Sequence, residues 1–243
     1  MENISMIPQF DDPIGRAVYD FHFNSVNQPI LVHSDDFDDD TIDASYLFRS
    51  YKQMPVLEKK AMNLCRGTIL DIGACAGPHS LFLQQKGFEV FALETSALCC
   101  EVLKDRNILN IIQHDIFNYS KQTFDTILLL MNGTGIAGTL MGLDILLHQL
   151  KQLLNPGGQI LMDSSDLIFL FEQEDGSALV DISANKYYGE LIFQTEYKNW
   201  ISAPFSWLYV DLSNLENAIE KNGLKLNKVF KGQHYDYLAR ITL

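Results

Sequence analysis

The stretch at 67–94 constrains the fold of this chain more than any other segment. It reads as an apolar strand, a glycine-rich turn at 71–77, a helix that Pro78 opens, and a second apolar strand that ends at Glu94. A strand, a turn, a helix and a strand in this order predict a βαβ unit with two parallel strands. The carboxyl ends of such strands form the edge of a sheet at which ligands bind.

The turn predicts a nucleoside site that favours a positively charged ligand. A dinucleotide-binding turn has glycine at its first, third and sixth positions, where the backbone approaches a pyrophosphate. Here those positions hold Gly73, Cys75 and Pro78. The Cβ of Cys75 obstructs that approach, and Asp71 repels phosphate but attracts an ammonium or a sulfonium group. Glu94 is placed to accept hydrogen bonds from two ribose hydroxyls.

Five segments resemble motifs of one protein family. The sequence LDIGACAG at 70–77 resembles the first motif of the S-adenosylmethionine-dependent methyltransferases of the Rossmann-like class. The later segments follow in the family's order, and they are VFALE at 90–94, HDIF at 114–117, FDTILLLMN at 124–132 and LLNPGGQIL at 153–161. Five segments in register are more specific than the first motif alone.

The resemblance implies a fold class, a cofactor and an activity. The implied fold is α/β, with a doubly wound, mostly parallel sheet of seven strands whose last strand is antiparallel. The implied cofactor is S-adenosylmethionine, and the implied activity is transfer of its methyl group to an acceptor by in-line displacement. The cofactor-binding positions expected from the matched motifs are Asp71, Gly73, Ala74, Gly77, Glu94, Thr95, Asp115, Ile116, Met131 and Asn132.

Several of these residues also fit a purely structural role. Asp71 ends an apolar run, where it either caps the turn or contacts the cofactor. Gly73 and Gly77 either meet the conformational needs of the turn or let a ligand lie against the backbone. Glu94 fits a ribose contact or a solvated loop. Asp115 either holds the adenine amine or caps a helical turn.

Two places in the sequence hold candidates for a catalytic role. Asn132 follows the fourth predicted strand, where it either lines the methyl-transfer site or forms an Asn-Gly turn with Gly133. Family members that methylate amino groups on bases or glutamine often have Pro-Pro and an aromatic residue after this position. Gly-Thr-Gly stands here instead, which puts that acceptor class in doubt. A general base is sought between the last two strands, where His234 is the first candidate and Tyr235 and Asp236 are the alternatives.

The chain is predicted to have an appendage and one larger domain. Residues 1–60 are expected to form a helical lid, with helices at 13–23 and 42–52 and a short strand at 29–33. Arg49 on that lid either pairs with the cofactor's carboxylate or packs in its helix. Residues 61–243 are expected to form the methyltransferase domain. An insertion at about 166–210 is expected to cover the substrate through an antiparallel pair of strands at 190–198 and 205–210.

Further elements are predicted from hydrophobic periodicity and turn residues. The region at 176–186 is expected to be irregular. Aromatic residues of the insertion either cup an acceptor or pack its hairpin, and they are Trp200, Phe205, Trp207 and Tyr209. Strands are predicted at 68–72, 88–93, 110–114, 124–130, 158–163, 225–230 and 237–243, and helices at 56–64, 78–85, 96–105, 139–153 and 212–222.

Composition narrows the choice of partners. The formal net charge of −13 argues against a nucleic-acid partner and favours a small-molecule or a protein substrate, with a small molecule expected. Basic residues are scattered except for Lys221, Lys225, Lys228 and Lys231, which fit the solvated edge of a helix and a strand better than a grip on RNA. No apolar run of membrane-spanning length appears, and the first five residues lack a secretory pattern, so a cytoplasmic location is expected. The acidic stretch at 34–40 lacks the glycine and closing glutamate of a calcium loop, so no metal is expected. The oligomeric state and the acceptor's nucleophilic atom stay open.

Two other classes of protein remain as alternatives. One is a protein that binds S-adenosylmethionine without transferring its methyl group, because the residues after Asn132 are unusual for the family. The other is a nicotinamide-dependent oxidoreductase on the same kind of sheet, which Cys75 and Pro78 disfavour.

Overall fold

The computed structural model describes residues 12–172 and 186–243. Within them, the helices are α1 (Pro13–Asn24), α2 (Val56–Leu64), α3 (Pro78–Gln85), α4 (Ala97–Asp105), α5 (Leu140–Gln152) and α6 (Leu212–Lys221). The strands are β1 (Pro29–Ser34), β2 (Asp40–Asp43), β3 (Ile69–Ile72), β4 (Val90–Glu94), β5 (Asn110–Gln113), β6 (Phe124–Leu129), β7 (Leu154–Ser165), β8 (Glu190–Tyr197), β9 (Trp200–Ile201), β10 (Phe205–Leu208), β11 (Lys225–Lys231) and β12 (Asp236–Thr242). Short 3₁₀ turns lie at Ala44–Phe48, Tyr51–Gln53, Ile116–Asn118, Gly133–Ala137 and Leu167–Phe171.

The main sheet has seven strands in the order β11-β12-β7-β6-β3-β4-β5. Strands β3 to β7 run parallel, and β12 is antiparallel to both of its neighbours. From β3 the chain adds β4 and β5 on one side of the sheet and then β6 and β7 on the other side. The carboxyl ends of β3 and β6 therefore flank a topological switch point. The expected fold class, a doubly wound and mostly parallel seven-stranded sheet, is confirmed.

Helices cover both faces of this sheet because successive strand residues point to opposite sides. Ile127 packs in the cluster that holds the apolar faces of α5 and α6, with Leu147 and Ile219. Its neighbour Leu128 packs in the cluster that holds α2 and α3, with Leu57 among its members. Side chains of these clusters are almost wholly withdrawn from solvent, so the central strands are rigid supports for the loops that follow them.

A second, antiparallel sheet joins the appendage to the insertion. β8 pairs with β10 on one side and with β1 on the other, and β1 also pairs with β2. The predicted antiparallel pair at 190–198 and 205–210 is therefore confirmed. The appendage contains the helix expected at 13–23 and the strand expected at 29–33, and its strands complete a sheet with a segment about 160 residues further along the chain, a pairing that was not expected.

The helix predicted at 42–52 is wrong. Residues 40–43 form β2, in which Ile42 pairs with Ile30 of β1, and the chain then makes two 3₁₀ turns separated by extended residues at Arg49 and Ser50. Cross-strand pairing with β1 determines the conformation of residues 40–43 instead of a local helical preference. The other predicted helices and strands in the described residues match to within a few residues at their ends.

Some expectations fall outside the described residues. They are the N-terminal pattern at 1–5 and nearly all of the irregular region expected at 176–186. Among the residues that are described, no helix has both the length and the apolar character needed to cross a membrane. The division of the chain at residue 60 stays a prediction.

Candidate active site

The loop between β3 and α3 lies at the switch point and has an unusual backbone. Gly73, Cys75 and Gly77 all have positive φ angles, of 69°, 51° and 76°. A Cβ added to Gly73 would meet nothing within 4 Å, whereas one added to Gly77 would lie 2.5 Å from Leu103. Gly77 is therefore needed for packing of the loop on α4, and Gly73 borders open space.

Asp71 is the last residue but one of β3, beneath this loop, and it is buried. Ser80 donates a hydrogen bond to its carboxylate at 2.6 Å. Burial raises the pKa of Asp71, and the neighbouring His79 and the bond from Ser80 offset that effect only in part. The carboxylate thus has a protein partner, and its predicted contact with a cofactor stays a prediction.

Glu94 ties the loop to the end of β4. Its Oε2 accepts a hydrogen bond from the backbone N–H of Cys75 at 2.7 Å, and its Oε1 accepts bonds from the N–H groups of Thr95 and Ser96 at 2.8 and 2.9 Å. Glu94 is nearly buried, so it is not a solvated loop acid. The carboxylate lies directly beside the glycine-rich turn, where a ribose contact was expected.

Asp115 and Ile116 follow β5, the next strand of the sheet. Asp115 accepts bonds from the N–H of Phe117 at 3.0 Å and from the Asn118 amide at 2.9 Å, so it does cap a helical turn. Ile116 packs into the main core. Their contacts with an adenine stay predictions.

Arg49 belongs to a buried network of charged side chains. Its Nε and Nη2 donate hydrogen bonds to the two carboxylate oxygens of Glu58, at 3.1 and 2.7 Å, and Nε2 of His79 lies 2.9 Å from Glu58 Oε2. Burial raises the pKa of Glu58, but His79 and Arg49 outweigh it and hold that pKa below its usual range. In this structure Arg49 pairs with a protein carboxylate, and its pairing with the cofactor's carboxylate stays a prediction.

A narrow cavity of about 20 Å³ lies over the glycine-rich loop. This is room for little more than one water molecule, so a larger ligand enters only if lining side chains move. The lining residues are Leu47, Asp71, Ile72, Gly73, Ala74, Cys75, Pro78, His79, Leu130 and Met131. Four of them, Asp71, Gly73, Ala74 and Met131, were predicted as cofactor contacts. An acid, a bare backbone position and apolar side chains suit a cationic amino-acid nucleoside.

A larger cavity of about 280 Å³ adjoins the narrow one, and Met131 lines both. Its lining residues are Tyr46, Pro55, Leu57, Glu58, Met131, Asn132, Asp163, Ser164, Ser165 and Asp236. The contact between His79 and Glu58 forms a second link between the cavities. The described part of the insertion beyond 186 contributes none of this lining, so its expected role of covering a substrate stays a prediction.

Met131 and Asn132 both have positive φ angles, of 64° and 58°, at the junction of the cavities. Such a conformation is strained for residues other than glycine and persists where neighbours enforce it. Asp163 does so, since its two carboxylate oxygens accept bonds from the N–H groups of Met131 and Gly133 at 3.1 and 2.9 Å. The Asn132 amide oxygen accepts a bond from the N–H of Ser165 at 3.2 Å. Asn132 thus both lines the cavity and shapes the turn.

Sequence reasoning missed Asp163, which is surrounded by protein yet partly open to the cavity. Burial raises its pKa to about 6, although the bonds from Gly133 and Met131 oppose that shift. An apolar run that is followed by an acid marked Asp71 and Glu94, and the same pattern, ILMD at 160–163, marks Asp163.

The remaining candidate residues lie outside the two cavities or contribute to side-chain packing. His234 lies on an exposed turn, where its backbone N–H donates a hydrogen bond to Oδ1 of Asp236 at 3.1 Å. Asp236 rather than His234 lines the larger cavity. The Trp207 ring lies against Gly135, where an added Cβ would overlap it, so the packing alternative fits this aromatic residue. Among the described residues, no group of acids, histidines and cysteines is arranged to hold a metal ion.

Comparison with solved structures first defines the class of fold. CcbJ, a methyltransferase from Streptomyces caelestis, is 15% identical with a TM-score of 0.60, over 79% of this chain and 94% of its own. CalS10, an amino pentose methyltransferase from Micromonospora echinaspora with S-adenosylmethionine bound, is 13% identical with a TM-score of 0.53, over 82% of this chain and 95% of its own. At such identities the likeness shows a shared fold.

A more similar structure shows the family. A methyltransferase from Bacteroides fragilis, determined in complex with S-adenosyl-L-homocysteine, is 46% identical to this chain. The match covers 96% of this chain and 94% of the other, with a TM-score of 0.88. No protein-family model matches the chain, and no curated protein matches it. The chain belongs to the S-adenosylmethionine-dependent methyltransferases.

Proposed function

We propose that this protein transfers the methyl group of S-adenosylmethionine to a small molecule that binds in the 280 Å³ cavity. The observation that carries this proposal is the junction at Met131, where that cavity meets the space over the glycine-rich loop. A donor on the loop and an acceptor in the cavity would face each other across this residue. The volume fits a small molecule or one end of a larger one.

The residues of the loop have separate tasks in this proposal. Gly73 lets the cofactor lie against backbone, Asp71 supplies negative charge beneath it, and Glu94 accepts bonds from the ribose while it holds the loop through Cys75. When bound, S-adenosylmethionine supplies a methyl group on a positively charged sulfur. The chain contributes by orienting the acceptor and excluding water, which is most of what an in-line displacement needs.

The 3₁₀ segments of the appendage would act as the lid. Leu47 lines the narrow cavity and Tyr46 lines the larger one, so residues at 44–48 border both spaces. Because the narrow cavity holds so little volume, cofactor binding requires movement of its lining, and a short 3₁₀ turn is less firmly held than the strands below it.

The other expectations about partners and location extend this proposal. The charge of −13 supports a small-molecule rather than a nucleic-acid acceptor. The four cysteines are free thiols, which supports a reducing, cytoplasmic compartment. CalS10 is by name an amino pentose methyltransferase, and at 13% identity that name does not choose the acceptor of this chain.

A matched pair of substitutions tests the cofactor site. Gly73 and Gly157 both have positive φ, and an added Cβ meets nothing within 4 Å at either position, but only Gly73 lines the narrow cavity. Gly73→Ala is expected to weaken S-adenosylhomocysteine binding at least tenfold by isothermal titration. Gly157→Ala, with similar backbone strain, is expected to leave the Kd unchanged. Equal Kd values for both variants would show that S-adenosylhomocysteine does not bind at this loop.

A further inference from the structure

The polar lining of the larger cavity is dominated by hydrogen-bond acceptors. It holds three carboxylates, Glu58, Asp163 and Asp236. The other polar groups are the hydroxyls of Tyr46, Ser164 and Ser165 and the amide of Asn132, while the described lining includes no lysine, arginine or histidine. A cavity with this lining has no positively charged side chain that would stabilise a phosphate or a carboxylate. Its chemistry suits a ligand that donates hydrogen bonds and carries positive charge.

Two of these carboxylates lie close together on one face of the sheet. Asp163 of β7 pairs with Leu238 of β12, and Asp236 is two residues before Leu238, so the two acids are diagonal cross-strand neighbours. Diagonal neighbours in an antiparallel pair are roughly 7–8 Å apart. Leu161 and Leu238 pack in the cluster that contains α2, so this is also the face on which Glu58 lies.

The negative charge of the cavity is only partly compensated by the protein. Arg49 and His79 both contact Glu58. Asp163 accepts bonds from backbone N–H groups, and Asp236 from the N–H of His234, but in the described part of the chain neither acid has an ion-pair partner. Two ionised carboxylates that line one cavity favour a cation between them.

We propose that the methyl acceptor is an amine, that Asp163 and Asp236 bind it as an ammonium ion, and that Asp163 accepts the proton its nitrogen must lose. The inference rests on the proposed function, since it names the acceptor class for the same site. Asp163 is the one placed for proton transfer, because it holds the N–H of Met131 at the junction of the two cavities.

The proposed step balances in protons and electrons. An N–H bond of the ammonium breaks and its proton passes to a carboxylate oxygen of Asp163, which leaves a lone pair on nitrogen. That lone pair forms the N–C bond to the methyl group while the C–S bond breaks, and the electrons of the C–S bond go to sulfur. The product is a methylated ammonium ion and a neutral thioether, and Asp163 returns its proton to water.

Other acceptor classes fit these residues less well. A phenol or a thiol would have to become an anion beside two carboxylates, which raises the free energy of the reactive form. An aliphatic hydroxyl needs a stronger base than a carboxylate. The raised pKa of Asp163, about 6, brings this group nearer to the range in which a general base works at neutral pH.

Binding of paired probes to the complex with S-adenosylhomocysteine tests recognition of the cation. The probes are benzylamine and cyclohexylamine, each compared with its isosteric alcohol by titration in solution. Each amine is expected to bind at least tenfold more tightly than its alcohol. Asp236→Asn is expected to reduce that preference at least threefold, and Asp163→Asn to abolish it. Asp166→Asn, three residues away and outside the lining, serves as the matched control.

The outcomes separate this inference from the proposed function. Equal binding of amine and alcohol, or no measurable amine binding by a protein that still binds S-adenosylhomocysteine, overturns the amine assignment alone. Failure of the unmodified protein to bind S-adenosylhomocysteine overturns the proposed function. If Asp163→Asn does not fold, because it loosens the turn at Met131, Asp236→Asn still decides the question of charge.

A pH profile of labelled-methyl transfer to the better-bound amine tests proton acceptance. The value of kcat/KM is expected to rise with pH through about 6 as Asp163 ionises. Other titratable groups face Asp163 from α2, α3 and β12, and they are Glu58, His79, Asp236 and Tyr237. In the variant Asp163→Asn this rise should be absent, and kcat should fall at least tenfold. In Asp236→Asn the rise with pH should remain. A rise that persists in Asp163→Asn, or absence of transfer to every amine, overturns the role of Asp163.

Discussion

At the scale of single residues, the buried network around Glu58 connects stability to the site. Its carboxylate contacts Arg49 on one side and His79 on the other. This one side chain therefore joins α2, α3 and the segment after β2. Glu58 also lines the larger cavity. A buried ion pair of this kind costs desolvation, and removal of one partner leaves a buried charge uncompensated.

Replacement of this carboxylate is therefore expected to be costly. Glu58→Gln should lower the free energy of unfolding by roughly 3–5 kcal/mol, because the Arg49 guanidinium stays buried without its partner. Urea denaturation measures the change, and Glu101→Gln on the exposed face of α4 is the control. An unchanged urea midpoint for Glu58→Gln would show that the network does not hold these elements together.

The pKa of Glu58 gives this contribution a pH dependence. Because the folded-state pKa lies below the ordinary value of 4.5, the stabilisation is present above about pH 4.5 and is lost as the pH falls through the folded pKa. The unmodified protein should thus lose more stability than Glu58→Gln between pH 6 and pH 3, roughly, as measured by the same denaturation series.

At the scale of elements, the pairing of β1 with β8 holds the appendage in place. Ile30 of β1 is fully buried and packs in one cluster with Tyr197 of β8. Ile30→Ala is expected to lower the free energy of unfolding by about 2–4 kcal/mol through the cavity that it leaves. It should also speed amide hydrogen exchange throughout 190–197. Faster exchange confined to β1 would contradict a shared sheet.

The lid is a second element with a measurable consequence. If Leu47 must move for the cofactor to enter, S-adenosylhomocysteine should change amide exchange at 44–53 by severalfold while exchange at 190–197 stays nearly constant. Hydrogen exchange followed by mass spectrometry distinguishes the two segments. Unchanged exchange at 44–53 upon saturation would contradict the role of these 3₁₀ turns as a lid.

The elements also show what local sequence determines. Helix α2 was predicted at its observed bounds because a proline before it and apolar spacing along it act within a few residues. Strand β2 was missed because its four residues are mostly polar and depend on β1 for their conformation. The pairing of β1 with β8 joins distant segments, and no local pattern encodes such a partner.

At the scale of the whole molecule, the main sheet determines where chemistry can occur. Parallel strands bring Asp71, Glu94 and Asp115 to one edge, and this was predictable because each lies at or directly after the end of a predicted strand. Asp163 reaches the same edge from β7, and its relation to Asp236 required the antiparallel register of β12. The cofactor side of the site was thus more predictable than the acceptor side, which several distant segments build together.

A crystal structure of the protein with S-adenosylhomocysteine tests the central claim most directly. The ligand is expected across the carboxyl ends of β3 and β4, with its ribose at Glu94, its chain against Gly73, and its sulfur facing the larger cavity beside Met131. Density for the ligand at another edge of the sheet, or a sulfur that faces away from Asp163, would contradict both the cofactor site and the acceptor cavity.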